Sequence, residues 1–189
     1  MTTNRTATPQ NDEMLERWMT QYQGGDTAAF AKLFDALAPR LLRYLLRLVR
    51  NQSLAEDLVQ ITFLKLHRAK DLFKDGERVA PWAFTIAHNA LRDELRKSKR
   101  NVADLTLDGE LPWDAISPSI SGSTQELELV EQAIESLSEE QREAVLLHKI
   151  EGLSMDDIAR VLGISSGAAR VRAHRGYKAI AAFLQEHRE

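Results

Sequence analysis

The 189-residue chain contains no cysteine, which excludes disulfides, zinc ribbons and thiol nucleophiles. Aromatic residues make up only 6% of it, so we expect small aliphatic side chains to fill the core that its 43% hydrophobic content can support. No apolar run approaches the roughly 20 residues that cross a bilayer. The polar N-terminal stretch also lacks the apolar segment of a signal peptide, so we expect a cytoplasmic protein.

Charge is distributed unevenly along the chain, although the net charge is only −3. Residues 92–100 carry five basic and two acidic side chains, whereas residues 101–126 carry five acidic side chains and no basic one. Residues 167–178 are basic again, with four Lys or Arg residues and no Asp or Glu. Two basic segments of this kind indicate contacts with nucleic acid, which the average charge conceals.

Apolar residues recur at helical spacing along most of the chain, and no segment alternates as a strand does. The predicted fold class is therefore all-α, with two small helical domains joined by a flexible acidic linker. The predicted divisions are a disordered tail, a first domain, the linker and a second domain, over residues 1–12, 13–100, 101–125 and 126–189.

Capping and breaking residues predict the helix ends in the first domain. A first helix covers residues 13–23, and a second follows Asp26, where Pro39 is expected to bend or interrupt it. A capping-box pattern at Ser53 opens a third helix that extends to about residue 69. A fourth helix is predicted to start with Pro81 at its first position and to end near residue 100.

A helix-turn-helix is predicted near the C-terminus. Ser154 can cap a short helix with Asp157 three residues later, Gly163 ends that helix, and Ser165 with Ser166 can cap a second. The second helix has one stripe of small and apolar residues, formed by Ala169, Ala173, Tyr177, Ile180 and Leu184. Its other side is basic, which is typical of a helix that enters the DNA major groove. An ordinary amphipathic surface helix is the alternative interpretation.

Three motifs in the first domain extend this pattern: residues 25–30 (GDTAAF), 55–66 (AEDLVQITFLKL) and 81–96 (PWAFTIAHNALRDELR). With the helix-turn-helix, they resemble the extracytoplasmic-function (ECF) group of bacterial RNA polymerase sigma factors, which keep only sigma regions two and four. The resemblance covers about residues 13–100 and 125–187. It implies an alternative sigma factor that binds polymerase core, recognises −10 and −35 promoter elements and helps to open DNA in response to stress or envelope signals.

Polar residues on the third predicted helix, namely Asp57, Gln60 and Thr62, lie among apolar ones. A polar stripe on a well-packed helix suits a specific protein interface better than a catalytic site. The resemblance implies that this Asp-Leu-Val-Gln segment packs on the clamp helices of the polymerase core, whose beta and beta-prime subunits are the expected partners. A solvated helix face is the alternative.

The fourth predicted helix and the loop before it, residues 71–79, supply groups for the −10 element. Asn89 is the candidate base contact, because its amide offers both a donor and an acceptor. Cationic side chains would neutralise phosphates whatever the sequence, and the candidates are Lys74, Arg78, Arg92, Arg96, Lys97 and Arg100. Trp82 is a candidate to stack on an extruded base, but its spacing from Ile86 favours a role in the core.

The second helix of the helix-turn-helix is implied to bind the −35 element. The residues predicted to contact this DNA are Ser165, Ser166, Ala168, Arg170, Arg172 and Arg175. The small side chains at the start of the helix reduce base-edge contacts, so we expect the arginines to act mainly on phosphates.

The acidic linker has two interpretations. In the family, the linker threads a cationic channel of the polymerase that RNA otherwise uses. Asp104, Asp108, Glu110 and Asp114 are consistent with that role. A solubilising tether fits the composition equally well.

Two other classes of function compete with this interpretation. An enzyme is disfavoured, because the five histidines form no metal pair at helical spacing with Glu or Asp and no phosphate-binding glycine loop is present. We therefore expect no catalytic residue, metal, cofactor or small-molecule substrate. A helix-turn-helix regulator that acts on duplex DNA without polymerase is the alternative function. An anti-sigma partner, soluble or membrane-bound, is compatible with the apolar helices.

Overall fold

The computed structural model describes residues 9–74, 76–103 and 125–187, and this part of the chain contains helices and no strand. Side chains are described over residues 12–74, 76–98 and 128–187. The chain divides into two compact units, whose main spans are Asp12–Ser117 and Pro118–Glu189. The all-α prediction is confirmed. The linker acids Asp104, Asp108, Glu110 and Asp114 lie outside the described residues.

The described residues of the N-terminal unit form four α-helices and one short turn. They are α1 (Pro9–Gln23), α2 (Thr27–Val49), α3 (Gln52–Ala69), a turn of 3-10 helix (Lys70–Leu72) and α4 (Val79–Ala103). Apolar side chains at helical spacing pack α2, α3 and α4 against one another. The fully buried members of this core include Leu33, Leu37, Leu41, Tyr44, Leu45, Leu58, Leu66 and Phe84.

Two predicted helix starts in this unit are wrong by a few residues. Asn51, and not Ser53, caps α3, because its extended backbone lets the side-chain oxygen accept from the Leu54 backbone N–H at 2.9 Å. The fourth helix begins at Val79, so Pro81 is its third residue. Proline is tolerated there because N–H groups in the first turn of a helix have no helical acceptor.

Pro39 does not interrupt α2, which is continuous from Thr27 to Val49. Pro39 deprives the carbonyl of Asp35 of its helical donor, but both residues are exposed, so water can satisfy that carbonyl. The predicted tail over residues 1–12 is also too long, because α1 begins at Pro9. Residues 1–8 lie outside the described part of the chain.

The C-terminal unit contains α5 (Gln125–Glu135), α6 (Glu139–Val145), α7 (Met155–Leu162) and α8 (Ser166–Glu186). The chain continues from α6 through one turn of π-helix, Leu146–Ile150. Ser138 caps α6, where its hydroxyl oxygen accepts from the backbone N–H of Gln141. None of the helices described in either unit is both long and apolar enough to cross a membrane.

The predicted helix-turn-helix is confirmed as α7 and α8. Ser154 and Asp157 form a reciprocal capping box at the start of α7. Gly163 ends α7 with φ = 65°, a left-handed conformation that glycine adopts without strain. The Ser165 side-chain oxygen caps α8 by accepting from the Ala168 backbone N–H at 3.1 Å.

Small residues on one face of α8 allow it to pack closely on the rest of the unit. Ala169, Ala173 and Gly176 are buried, whereas Tyr177 is part-buried with its hydroxyl hydrogen-bonded to His148. A methyl group added at Gly176 would lie 2.5 Å from Val145 Cγ2 of α6. The predicted inner stripe is therefore confirmed at its two alanines, and Gly176 extends it.

Candidate polymerase and DNA interfaces

The exposed face of α3 carries two of the three residues predicted to bind polymerase. Asp57 and Gln60 are both exposed and lie three residues apart, which places them on the same side of the helix. Thr62 is fully buried, and its hydroxyl donates to the Leu58 carbonyl at 2.7 Å. The prediction that Thr62 belongs to this surface is wrong, because two further residues turn its side chain about 200° away from Gln60.

An apolar groove lies beside Gln60, between the end of α1, α2 and α3. Its volume is about 590 Å³, and aromatic side chains from all three helices line it. Phe34 and Leu64 at its edge are 41% and 57% exposed, and the Phe34 and Phe63 rings are 4.6 Å apart. Exposed apolar groups next to polar ones are typical of a protein interface. This groove was not predicted from the sequence, although Phe30 and Phe34 are spaced four residues apart on α2.

The exposed face of α4 presents four of the residues predicted for the −10 element: Asn89, Arg92, Arg96 and Lys97. Arg96 donates to Asp93, and Lys97 lies 3.5 Å from Glu94. Within the described part of the chain, Asn89 and Arg92 make no hydrogen bond or ion pair, so their side chains are available to another molecule. The side chain of Arg100 lies outside the described residues.

Charge and burial fix the ionisation of two neighbours of this face. Hydrogen bonds from Lys65, at 3.3 Å, and from Arg96 lower the pKa of Asp93, which keeps its carboxylate ionised at neutral pH. His88 is buried beside the Tyr44 hydroxyl, 3.4 Å away. Burial, reinforced by the charge of Arg92, lowers the pKa of His88 to about 4, so its ring is neutral.

The loop before α4 is shorter than predicted, because the 3-10 turn includes Asp71 and α4 includes Val79. Its described residues are 73–74 and 76–78. Lys74 is exposed. Arg78 is 39% exposed and forms an ion pair with Asp12, so it is not simply available to phosphates as expected. The ring of Trp82 packs against that of Phe73 with centroids 5.1 Å apart, which supports the packing role for this tryptophan.

The outer face of α8 presents Arg170 and Arg175, both exposed and without an ion pair among the described residues. Arg172 is part-buried and donates to Glu140 Oε1 at 2.8 Å. At the start of α8, Ser165 serves as the cap, and the Ser166 hydroxyl donates to Asp156 Oδ1 at 2.5 Å. Ala168 is half-buried. Of the three arginines predicted for the −35 element, Arg170 and Arg175 are therefore the exposed ones.

Metal-ligating side chains do not come together in the described residues, where no three His, Asp or Glu groups are placed to hold an ion. The accessible residues predicted to bind polymerase lie on the exposed face of α3, and those predicted to bind DNA include residues on the exposed faces of α4 and α8.

Comparisons with known proteins cover both units. Residues 33–101 match the family Sigma-70 region 2, and residues 127–180 match Sigma-70, region 4. RNA polymerase sigma factor CarQ of Myxococcus xanthus is 40% identical over 168 residues, which cover 89% of this chain and 96% of CarQ. ECF RNA polymerase sigma factor SigL of Mycobacterium tuberculosis is 33% identical, over 85% of this chain and 92% of SigL.

A solved structure shares the same architecture. The sigma factor RpoE from Bartonella quintana, crystallised in complex with the anti-sigma factor NepR, has a TM-score of 0.69 and 30% identity. The match covers 84% of this chain and 98% of that one. Because both sigma regions match in order and the relatives span both units, the chain belongs to the extracytoplasmic-function sigma factors of the sigma-70 family, which direct the initiation of transcription by RNA polymerase.

Proposed function

We propose that this sigma factor binds polymerase core through the α3 surface, defined as Asp57, Gln60, Phe34 and Leu64. The supporting observation is that two exposed polar groups adjoin two exposed apolar side chains on a packed, rigid helix pair. Apolar contacts there would supply affinity, and the two polar groups would fix the register of the partner helix. A regulator that acts on duplex DNA alone has no use for such a surface.

The α4 face and the loop before it are proposed to recognise the −10 element. Asn89 is exposed and free to form paired hydrogen bonds with a base edge, which phosphate-binding cations cannot do. Arg92, three residues after Asn89 on α4, and Lys74, within the loop, are accessible cations that could contact neighbouring phosphates. Arg96 and Lys97 would contact phosphates after exchanging their carboxylate partners for DNA, and Arg78 and Arg100 remain predicted contacts.

The α8 face is proposed to bind the −35 element in the major groove. Arg170 and Arg175 would contact phosphates, while Ser165, Ser166 and Ala168 at the helix start lie where a recognition helix approaches base edges. Arg172 would join them by leaving Glu140. Because these side chains are small, phosphate contacts and DNA shape would contribute more to binding here than base-edge hydrogen bonds.

Regulation by an anti-sigma factor is a further part of the proposal. It is supported by the 30% identical sigma factor whose solved structure contains the anti-sigma factor NepR. Stress or envelope signals would then release the sigma factor. We propose that the chain acts in the cytoplasm, where polymerase and promoter DNA are found, and that it acts by binding and not by catalysis.

The core-binding surface can be tested with the double variant Asp57→Ala/Gln60→Ala. Its affinity for polymerase core should fall about tenfold or more if the pair belongs to the few central residues that dominate an interface, since truncating such a residue costs about 2 kcal/mol or more. Gln52→Ala/Glu56→Ala is a matched control, because it removes one amide and one carboxylate from exposed positions at the start of the same helix. Titration of labelled core measures both affinities, and circular dichroism checks that the variants remain helical.

Core affinity equal to that of the wild type in the Asp57/Gln60 variant would contradict the α3 assignment. Equal losses in both double variants would also contradict it, because the effect would then not be specific to the proposed surface.

A further inference from the structure

Helix α1 contacts the chain at both ends of the −10 loop, whose described residues are 73–74 and 76–78. At the start of the loop, the Gln23 side-chain amide donates to the carbonyls of Lys70 and Phe73, at 2.7 and 2.9 Å. At its end, a carboxylate oxygen of Asp12 accepts from the Arg78 guanidinium. Asp12 and Gln23 are eleven residues apart on one helix, which corresponds to about 16 Å. A single rigid element therefore sets the separation between the two loop ends.

The carboxylate of Asp12 is largely shielded from solvent by the N-terminal unit. Its side chain is only 16% exposed, and its second oxygen lies 3.9 Å from the Arg40 guanidinium of α2. Arg40 is 10% exposed and lies over the Phe84 ring of α4, 5.8 Å from the ring centroid. A charge pair shielded from water in this way is restrained more strongly than a surface pair. Asp12 therefore links α1 to the loop end and, through Arg40, to α2 and α4.

A second acid on α1 lies near the start of α4. Glu16 follows one turn after Asp12. Burial and the charge of Asp12 raise the pKa of its carboxyl group, while the nearby Val79 backbone N–H and the charge of Arg78 act in the opposite direction. Val79 is the first residue of α4, where the backbone N–H has no helical acceptor and the helix dipole is positive. Glu16 therefore places a second carboxyl group of α1 near the first turn of α4.

We propose that α1 positions the −10 loop and the start of α4 for promoter recognition, with Asp12 and Gln23 as the positioning residues at the two ends of the loop. The inference rests on the proposed function of Lys74 and Asn89 in binding the −10 element. Neither Asp12 nor Gln23 needs to touch DNA in this role. A hydrogen bond to a base edge tolerates only a few tenths of an ångström, so the loop and α4 must be held in place before the base arrives.

Within the described residues of the loop, the Glu77 backbone N–H donates to the Lys74 carbonyl at 3.1 Å. Lys74, Gly76 and Glu77 are exposed, and only Phe73 is buried, against Trp82. The contacts from α1 therefore restrain the position of the loop and do not fill a core. Their loss should change what the loop recognises more than it changes the stability of the unit.

The test uses holoenzyme assembled from polymerase core and full-length Asp12→Asn or Gln23→Ala variants. Asp12→Asn keeps the size of the side chain and removes its charge, and Gln23→Ala removes both amide hydrogen bonds. Glu13→Gln and Gln21→Ala are matched controls on the same helix, because Glu13 is exposed and neither side chain contacts the loop. The templates are a promoter on which the wild type initiates and copies with single −10 substitutions.

Permanganate footprinting gives the ratio of opening on the matched template to opening on the substituted ones. We expect this ratio to fall about fivefold or more in both positioning variants, which is the lower range of base-edge discrimination, and to stay unchanged in both controls. Core affinity and duplex binding at the −35 element should stay at the wild-type level. Those two measurements separate positioning from a general loss of structure.

Two results would overturn the inference while leaving the proposed function intact. In the first, both positioning variants keep the wild-type ratio while Asn89→Ala lowers it. In the second, the ratio falls only in proportion to a loss of core affinity. The proposed −10 function fails if the wild type opens matched and substituted templates equally, or if Asn89→Ala leaves the ratio unchanged. In either case the positioning role fails with it.

Discussion

Replacing Gly176 with alanine should destabilise the C-terminal unit, although alanine favours a helix. The added Cβ would lie 2.5 Å from Val145 Cγ2 and 3.4 Å from the Gln141 carbonyl oxygen. Optimal contacts between carbon atoms are about 3.5–4.0 Å, so the first contact is a severe overlap. Val145 cannot easily turn aside, because it is buried and its β-branched side chain has one strongly preferred rotamer in a helix.

The magnitude follows from two opposing effects. Alanine contributes about 1 kcal/mol more than glycine to an interior helical position. Overpacking a well-filled core costs about 1–3 kcal/mol, and an overlap of this size belongs at the upper end. The free energy of unfolding should therefore fall by about 1–2 kcal/mol.

Hydrogen exchange measured by mass spectrometry reports this free energy for α6 and α8 separately from the N-terminal unit. Val145→Ala provides the second half of a double-mutant cycle, because it removes the overlapping methyl group. In the Val145→Ala background, Gly176→Ala should be neutral or stabilising. Equal or greater stability of Gly176→Ala in the wild-type background, with additive effects in the double variant, would refute the steric argument.

The remaining predictions concern pH and salt. Burial lowers the pKa of His88 from 6.5 to about 4 in the folded protein, so on acidification the unfolded chain takes up a proton at this residue before the folded chain does. The free energy of unfolding of the N-terminal unit should therefore fall by about 2 kcal/mol from about pH 7.5 to about pH 5. Urea titrations measure this free energy at each pH, and those of His88→Asn should lack the part of the pH dependence that comes from His88. A pH profile equal to that of the wild type would contradict the role of His88. In salt titrations of duplex binding, Arg170→Ala should lower the slope of log K against log salt by about one unit, and Arg172→Ala by less, because Arg172 must first leave Glu140. Glu140→Gln should tighten binding, and equal slopes for the two arginine variants would count against the role of the Glu140 pair.

Local signals predicted the helix-turn-helix well. Ser154, Asp157 and Gly163 act on backbone groups within a few residues of themselves, so the sequence alone contains the whole interaction. The Asn51 cap was missed because Ser53 begins an equally good local pattern, and the choice between them depends on where the chain leaves α2. The basic residues of α4 and α8 were likewise predicted from composition, and the structure exposes most of them.

Partners that are distant in sequence could not be predicted. The polarity of Thr62 suggested a surface position, but the packing of α3 decides which face is buried. Asp12 was assigned to a disordered tail because nothing near it in sequence reveals Arg78, which is 66 residues away. The sequence around Gly176 does not reveal why a glycine is needed there. The reason is the close approach of Val145 from α6, which leaves no room for a side chain.

The cations predicted to contact DNA have acidic partners, which bear on how a sigma factor stays selective. Several of the cations predicted to contact DNA already have a carboxylate partner, in the pairs Arg78–Asp12, Arg96–Asp93, Lys97–Glu94 and Arg172–Glu140. Each such pair lowers the number of counterions that binding releases, and with it the affinity for DNA of any sequence. The base recognition proposed for the uncharged amide of Asn89 has no such competitor. If these residues contact DNA as proposed, the pairs would weaken indiscriminate binding more than promoter recognition, which suits a protein that acts at specific sites when bound to polymerase.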